Sequence, residues 1–373
     1  MKKAAIVFVL MTLSALTILP IINLTVTGFK TTGDKSWWRK QSLYSFDVIL
    51  PVLSRIMYPL GISILPDQVV VGKDGWLLLG DHYGRNLSRL RSGPLPEDSQ
   101  MIEQISIAAR QWQSWMQAHG VQVFKYMIAP NKESIYPEYL PDWAHPASVS
   151  FLDHLIAADD QGVFFDGRPA LRALKSEYDQ LIYYPYDSHW NIVGAAAFFL
   201  SFMENLQQSS ENSGLTVLQR NQLTPVERTF DHGSDLAVML KLNDVVRHRE
   251  IGIDIDIGRK IDIVASDYSS GEILLSGDNP PLPAPFTPAL VKSENALNHK
   301  KVLWLRDSFG VMMSPFMAAT FTETLQLHHN ALTPEILAHL VSVFQPDYVF
   351  VTVVERDSLH SVFSMQLPDE TMK

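Results

Sequence analysis

Three short apolar runs constrain this chain more than any other feature. They are "VQVFKYMIAP" (121–130), "KKVLWLRDSFG" (300–310) and "DYVFVTVVE" (347–355). Each has the length of a strand, and each is apolar on successive residues, as a strand buried on both faces must be. Helical patterns separate them. Residues 97–119 put Ile105, Ala108, Trp112 and Trp115 on one helical face and stop at Gly120. Helical segments near 149–159 and 167–178 flank a short strand, "GVFFD". Further helices are expected after Asn191 to about 207, from Phe309 to about Ala319, and over "TPEILAHLVSVF". Strands alternating with helices predict an α/β fold with a parallel sheet covered on both faces.

Residues 208–298 break this rhythm. "SSENSG" reads as a flexible loop. "EIGIDIDIGRKIDIVAS" alternates strictly between apolar and polar residues, so it predicts a half-buried strand pair or edge. "SGDNPPLPAPFTP" is a proline-rich connector in extended form. The block is expected to be a β-rich insertion on the α/β core. Earlier, "QVVVGKDGWLLLGD" sets Asp74-Gly75 between two apolar runs. Both residues tolerate positive φ, which is the signature of a hairpin turn. There are no internal repeats.

The N-terminus carries Lys2 and Lys3, then no charge from Ala4 through Phe29. Roughly 20 apolar residues span a bilayer. A cleaved signal peptide has a shorter apolar core and a small-residue cleavage site. This run is longer and its cleavage signal weak, so residues 1–29 are expected to form an uncleaved membrane anchor, with a signal peptide as the alternative. Lys2 and Lys3 then stay in the cytoplasm, and the rest of the chain is periplasmic. Residues 30–65 read as a linker, with Trp37 and Trp38 at the membrane interface. Residues 66–358 read as the main domain and 359–373 as a tail. The chain has no cysteine, so it holds no disulfide and no thiolate metal site. Its 30 basic and 40 acidic residues give a net charge of −10. That argues against nucleic acid as a partner, because phosphate binding needs a basic face.

In open α/β sheets, chemistry gathers beyond the carboxyl ends of the strands. Two turns meet that description: Asp187-Ser188-His189 in "YYPYDSHWNIVG", and Asp307-Ser308 in "WLRDSFG". A serine nucleophile needs a base, and the base needs an acid to fix its tautomer. Asp187 and His189 can lie on one side of their turn. Ser308, at a strand-to-helix turn, would expose its hydroxyl beside helix N–H groups able to bind an oxyanion. Plainer readings stand beside this one. Asp187 or Ser188 would cap the helix of Ile192–Leu206, and Asp307 or Ser308 the next. An Asp-x-His pair also suits a metal, although no third ligand is evident. Other acid–imidazole pairs are Asp81-His82, Asp153-His154, read as a solvated face, and Asp231-His232. His328-His329 reads as a satisfied surface pair.

Several separated motifs resemble one family. They are "VVVGKDGWLLLG", "IAPNKESIYPEYLP", "YDSHWN", "GSDLAVML", "WLRDSFG" and "PDYVFVTVVER". In this order they resemble the alginate O-acetyltransferases AlgJ and AlgX, whose catalytic domain is similar to SGNH hydrolases. The end of the chain soon after Arg356 and the expected anchor make the resemblance closer to AlgJ. It implies a three-layer α/β/α fold with Ser308 as nucleophile, His189 as base and Asp187 as orienting acid. The order Asp–His–Ser differs from ordinary SGNH hydrolases, in which the serine comes first. Arg306 stands where the family often has glycine, and it would pair with a substrate carboxylate or only with Asp307. Lys132 would bind a uronate or an oxyanion, or be a solvated loop lysine. Asn131 would offer a side-chain N–H to the oxyanion. Tyr136 and Tyr186 are packing residues or line a sugar site. Glu355-Arg356 reads as an internal ion pair.

The resemblance implies a periplasmic O-acetyltransferase that acts on an exopolysaccharide, alginate among the candidates, through an acetyl-serine. It needs no cofactor or metal. It implies a membrane-bound O-acyltransferase as acetyl donor and other polysaccharide-assembly proteins as partners. An acetyl esterase would use the same residues with water as acceptor. A non-catalytic component of the secretion complex would leave them too far apart to react. A net charge of −10 slows encounter with a polyanion, and a basic cleft of Lys132, Arg306 and Arg356 would ease it.

Overall fold

The three apolar runs lie side by side at the middle of one sheet, where both faces are covered. A computed structural model describes residues 2–27, 39–208, 214–228 and 234–368. Trp37, Trp38, Asp231, His232 and positions 209–213 of the "SSENSG" loop lie outside the described residues. The strands are β1 (Val69–Val71), β2 (Leu77–Leu79), β3 (Val123–Ala129), β4 (Phe164–Asp166), β5 (Leu223–Arg228) and β6 (Glu250–Ile255). They continue with β7 (Ile263–Asp267), β8 (Ile273–Gly277), β9 (Ala289–Ser293), β10 (Asn298–Arg306), β11 (Phe321–His328) and β12 (Tyr348–Val354).

The main sheet has 8 strands in the order β4-β3-β12-β10-β11-β9-β7-β8. The neighbours from β4 to β11 run parallel. β9 runs antiparallel to β11, and β7 runs antiparallel to both β9 and β8. The sheet is therefore mixed, which corrects the expectation of a parallel one. The antiparallel strands all come from the insertion. Antiparallel neighbours need only short turns, whereas parallel ones need a helical crossover, and the insertion supplies no such helix between β7 and β9. The alternating segment contains two strands, β6 and β7, that do not pair with each other. β6 joins β5 in a separate two-stranded sheet, while β7 extends the main one. Alternation reports a half-covered strand but not its partner.

Helices Arg168–Glu177, Ile192–Gln207 and Ser314–Thr320 cover one face, packing on Met127, Trp304 and Phe350. Helices Asp98–Ala118, Phe151–Ala157 and Pro334–Phe344 cover the other, packing on Ile128, Leu303, Leu305 and Val351. This is a three-layer α/β/α arrangement. The β1–β2 hairpin forms with Asp74 at φ 54° and Gly75 at φ 75°. Its loop is closed by a bond from Gly72 N to Trp76 O at 2.7 Å, so it is longer than a two-residue turn.

Segments read as linker and tail carry structure. Residues 30–65 include helices Lys40–Leu43 and Leu50–Met57. Phe363 is buried, and the Trp112 indole donates to Met365 O at 2.9 Å. At the N-terminus a helix runs from Lys2 to Thr27 with Pro20 inside it. Proline has no N–H to offer the carbonyl four residues back, and the Tyr44 hydroxyl donates to that carbonyl, Leu16 O, at 3.1 Å. Among the described residues no helix is long and apolar enough to cross a membrane. The side chains at positions 2–5, 7, 10, 11, 15 and 27 of this helix are not among them.

Candidate active site

The segment Ile182–Asn191 folds back on itself, with Tyr183 opposite Trp190. Asn191 N donates to Ile182 O at 3.0 Å, and Tyr184 N to His189 O at 3.3 Å. Asn191 then caps the following helix, its side chain accepting from Val193 N and Gly194 N. The cap is thus neither Asp187 nor Ser188. Gly194 is required by close approach, since a Cβ there would lie 2.4 Å from Ile182 O. The Asp187 carboxylate is left to the histidine. Its Oδ1 accepts from His189 N at 2.9 Å and meets His189 Nδ1 at 2.7 Å. Its Oδ2 accepts from Asp235 N at 2.9 Å.

Ser308 follows the end of β10 in a 3-10 turn, Ser308–Gly310. The helix expected from Phe309 begins only at Ser314. Asp307 caps the turn, accepting from Phe309 N at 2.8 Å, and its other oxygen accepts from Val354 N at 2.7 Å. Ser308 is therefore not the cap, and its hydroxyl is free to face the histidine. Ser308 Oγ and His189 Nε2 lie 2.7 Å apart. One hydrogen-bonded chain runs from Asp187 through His189 to Ser308. The Trp190 indole donates to Phe309 O at 3.1 Å and ties the two turns together.

The charges around the imidazole are arranged to hold it in this chain. Burial pushes the Asp187 carboxyl up, but the His189 side chain and the backbone N–H groups of Asp235 and His189 outweigh it, so the group stays well below the usual carboxylate range. Burial pushes the His189 imidazolium down. The hydrogen bond and charge of Asp187, with the charge of Asp235, more than offset it, so His189 titrates above its ordinary 6.5. With Nδ1 held by a carboxylate, Nε2 is the nitrogen left to accept a proton.

Asp235 is the residue that sequence reasoning missed, although "GSDLAVML" had drawn attention to its segment. Its carboxylate accepts from Ser188 N at 2.8 Å and from the Ser188 hydroxyl, and lies 3.7 Å from His189 Nδ1. Asp187, His189 and Asp235 together have the ligand types and spacing for a metal ion. Both carboxylates, however, are occupied by N–H and O–H donors. That donor set suits two anions orienting an imidazole better than two metal ligands.

Several expected substrate contacts are placed elsewhere. Lys132 is neither a solvated loop lysine nor open to a ligand. It is 1% exposed, and its ammonium donates to the carbonyls of Leu77, Tyr184, Pro185 and Asp187. It clamps the Asp187 turn onto β2. Arg306 is fully buried, out of reach of a substrate carboxylate. Its Nε donates to Gln326 Oε1 and its Nη2 to Leu282 O and Pro283 O, each at 2.9 Å. Asn131 is buried, and its side-chain N–H donates to Asn86 Oδ1 at 2.9 Å rather than toward Ser308. Tyr186 is half-buried against the hairpin cluster. Tyr136 is buried, and its hydroxyl accepts from Ile182 N at 3.1 Å.

Glu355 and Arg356 meet through Asn131 instead of pairing with each other. Glu355 accepts from Asn131 N at 2.9 Å, and Arg356 donates to Asn131 Oδ1 at 3.1 Å. The half-buried Arg356 guanidinium lies 5.5 Å over the Phe309 ring, and its charge reaches His189, where it opposes the pull of the two carboxylates. Of the three cations expected in a basic cleft, it alone is neither fully buried nor saturated by carbonyls. His328-His329 is not a surface pair either. His329 is 2% exposed, with its Nε2 3.8 Å from Asp307. Asp153 is not simply solvated, since it completes a capping box with Ser150 and binds Arg168 at 2.7 Å. Asp81 accepts from Ser88 N and Oγ instead of pairing with His82.

The fold is that of SGNH hydrolase-like proteins. Residues 69–281 match the family model "SGNH hydrolase-like domain, acetyltransferase AlgX", and the chain belongs to that family. The match includes Asp187, His189 and Asp235 and stops before Ser308. No curated protein matches the chain in sequence. Among solved structures, Bacillus cereus PatB1 with a sulfonyl adduct is similar at 16% identity and TM-score 0.59, over 79% of this chain and 98% of that one. A DHHW family protein from Eubacterium siraeum is similar at 14% identity and TM-score 0.57, over 83% and 98%. The O-acetyltransferase domain of Pseudomonas putida AlgJ aligns at 16% identity and TM-score 0.48, over 82% and 95%.

Proposed function

We propose that this protein is a periplasmic O-acetyltransferase, held at the inner membrane by its N-terminal helix, which transfers acetyl groups to hydroxyls of an exopolysaccharide. The observation that carries the reading is the chain Asp187–His189–Ser308, with both side-chain contacts at 2.7 Å. Family membership supports the acetyl chemistry. His189 Nε2 takes the Ser308 proton as Oγ attacks the acetyl carbonyl, and the same proton passes to the departing donor oxygen. The acetyl group is then an ester on Ser308. A sugar hydroxyl attacks that ester, giving its proton to His189, which returns it to Ser308 Oγ. Asp187 stays ionised throughout and stabilises the imidazolium.

The N–H of Phe309 is already bound to Asp307 Oδ1, and that of Gly310 to Asp307 O. Arg356 is the half-buried cation whose charge reaches His189, and we assign it the developing oxyanion. The uncharged run from Ala4 through Phe29 supports the anchor. The expected partners are a membrane-bound O-acyltransferase as acetyl source, the polysaccharide acceptor and other assembly proteins. The polymer is a bacterial exopolysaccharide, with alginate as the first candidate.

A second reading is hydrolysis of acetyl esters. It is favoured by the 26% exposure of the His189 side chain, which admits water. Both readings are tested by incubating wild type, Ser308→Ala and His189→Ala with an acetyl ester, with and without polysaccharide, and measuring free acetate and polymer-bound acetyl. The expected result is transfer by wild type and a fall of several orders of magnitude in both folded variants. Free acetate unaffected by polysaccharide would favour the esterase. Near-normal turnover by folded Ser308→Ala would remove both readings.

A further inference from the structure

The proline-rich connector presents one large aromatic side chain to solvent. Phe286 is 65% exposed, yet its position is fixed. Its ring stacks on His328 at 4.4 Å with an interplanar angle of 10°. The backbone beneath it is tied down on both sides. Arg306 Nη2 donates to Leu282 O and Pro283 O, and His328 N donates to Pro285 O at 2.6 Å. Leu282 N donates to Ser314 Oγ at 2.8 Å, and Asn279 Nδ2 donates to Pro315 O at 2.9 Å, which joins the connector to the helix after the Ser308 turn. Five prolines, at 280, 281, 283, 285 and 288, stiffen the same stretch. A freely mobile loop would need none of this.

The register places Phe286 on the sheet face and at the strand end that carry the nucleophile. Arg306 and His328 are partners across β10 and β11, so their side chains share a face. Trp304, two residues before Arg306, belongs to the core on the face of helix Ile192–Gln207, so Arg306 points to that face as well. His189, from the turn before the same helix, reaches Ser308 there. The Ser308–Gly310 turn sits directly over Arg306, since a Cβ on Gly310 would lie 2.6 Å from Arg306 Cδ. With strands about 4.8 Å apart, the stacked rings lie on the order of 10 Å from the nucleophile. That is the span of one or two sugar residues. His328 also suits a flat stack. Burial, with His329 and Arg306 beside it, pushes its imidazole down to about 4, so it is neutral at ordinary pH.

We infer that Phe286 is an acceptor subsite, a rigid platform on which a pyranose ring of the polysaccharide stacks while a neighbouring sugar hydroxyl meets the acetylated Ser308. The buried Arg306 is a positioning residue for that platform. The inference rests on the acetyltransferase reading for its acceptor, but its test does not depend on turnover. A sugar presents axial C–H groups on one face, and an exposed aromatic face held in place binds them at little entropic cost.

The experiment is equilibrium binding of two hexasaccharides, a mannuronate oligomer and neutral cellohexaose, to wild type, Phe286→Ala and Phe286→Trp by calorimetry. The expected result is about tenfold weaker binding of the preferred oligomer by Phe286→Ala, and retention by Phe286→Trp. Both variants should stay folded, as thermal unfolding checks, because the exposed residue lies outside the core. Equal affinity of Phe286→Ala and wild type would overturn the inference, as would failure of wild type to bind either oligomer. Loss of the function reading would appear separately, as p-nitrophenyl acetate hydrolysis that survives Ser308→Ala.

Discussion

Trp190 and Phe309 lock the two turns of the site into one unit. The Trp190 indole donates to the Phe309 carbonyl at 3.1 Å, and the two rings meet edge-on at 5.0 Å. Phe309 also lies 5.0 Å from the His189 ring. Each residue is the chain neighbour of a reacting group, so this contact sets the distance from base to nucleophile. Trp190→Phe keeps the ring but leaves the buried carbonyl without its donor. The cost should be about 1–3 kcal/mol of stability. Acetyl transfer should fall about tenfold through kcat rather than KM, because a small misplacement of the reacting atoms acts on the chemical step. Thermal unfolding and steady-state kinetics measure both. Full kcat in a destabilised variant would show that the contact supports the fold alone.

The pH dependence follows from His189. It must be neutral to accept the Ser308 proton, so activity is lost as pH falls through its titration. Asp187 and Asp235 hold that titration above 6.5. The acid limb of kcat/KM should therefore have its midpoint above 6.5, where an unperturbed histidine would place it. Asp187→Asn should lower kcat by about a thousandfold or more, because the amide no longer selects the tautomer with Nε2 free. A limb at or below 6.5 would contradict the electrostatic account.

Much of this was legible in the sequence, for definite reasons. Short, mostly apolar runs marked β3, β10 and β12, because a strand covered on both faces needs them. The two turns were found because an acid, an imidazole and a serine each followed a strand-like segment or preceded a helix. The direction of β7 was not legible, since alternation carries no information about the partner strand. The fates of Lys132 and Arg306 were hidden for a different reason. A long cation looks available to a ligand until the groups it donates to are known, and those come from β2, the Asp187 turn, β11 and the proline-rich connector. Asp235 was hidden because it lies 48 residues from Asp187, and nothing local links them.

Asp235 can be separated from Asp187 by experiment. Asp187 makes the direct 2.7 Å contact with Nδ1, while Asp235 stands 3.7 Å away and holds Ser188. Asp235→Asn keeps an acceptor for Ser188 but removes a negative charge beside the imidazole. The acid limb of the pH profile should move to lower pH, with only a modest loss of kcat at its plateau. An unmoved limb would assign Asp235 to holding the turn and nothing more.

Lys132 allows the sharpest choice between a substrate group and a structural clamp. Its ammonium holds the carbonyls of Leu77, Tyr184, Pro185 and Asp187. Lys132→Met leaves buried carbonyls without a donor, and breaking such a charged, hydrogen-bonded centre costs about 3–5 kcal/mol. One of the carbonyls belongs to Asp187, so the turn that orients His189 should loosen as well. Urea unfolding should show the loss of stability, and kcat should fall at saturating acceptor. A lysine that bound a sugar carboxylate would behave in the opposite way, raising KM for a uronate polymer while stability and kcat held. A stable Lys132→Met protein with only a raised KM would return Lys132 to the substrate site and remove the clamp.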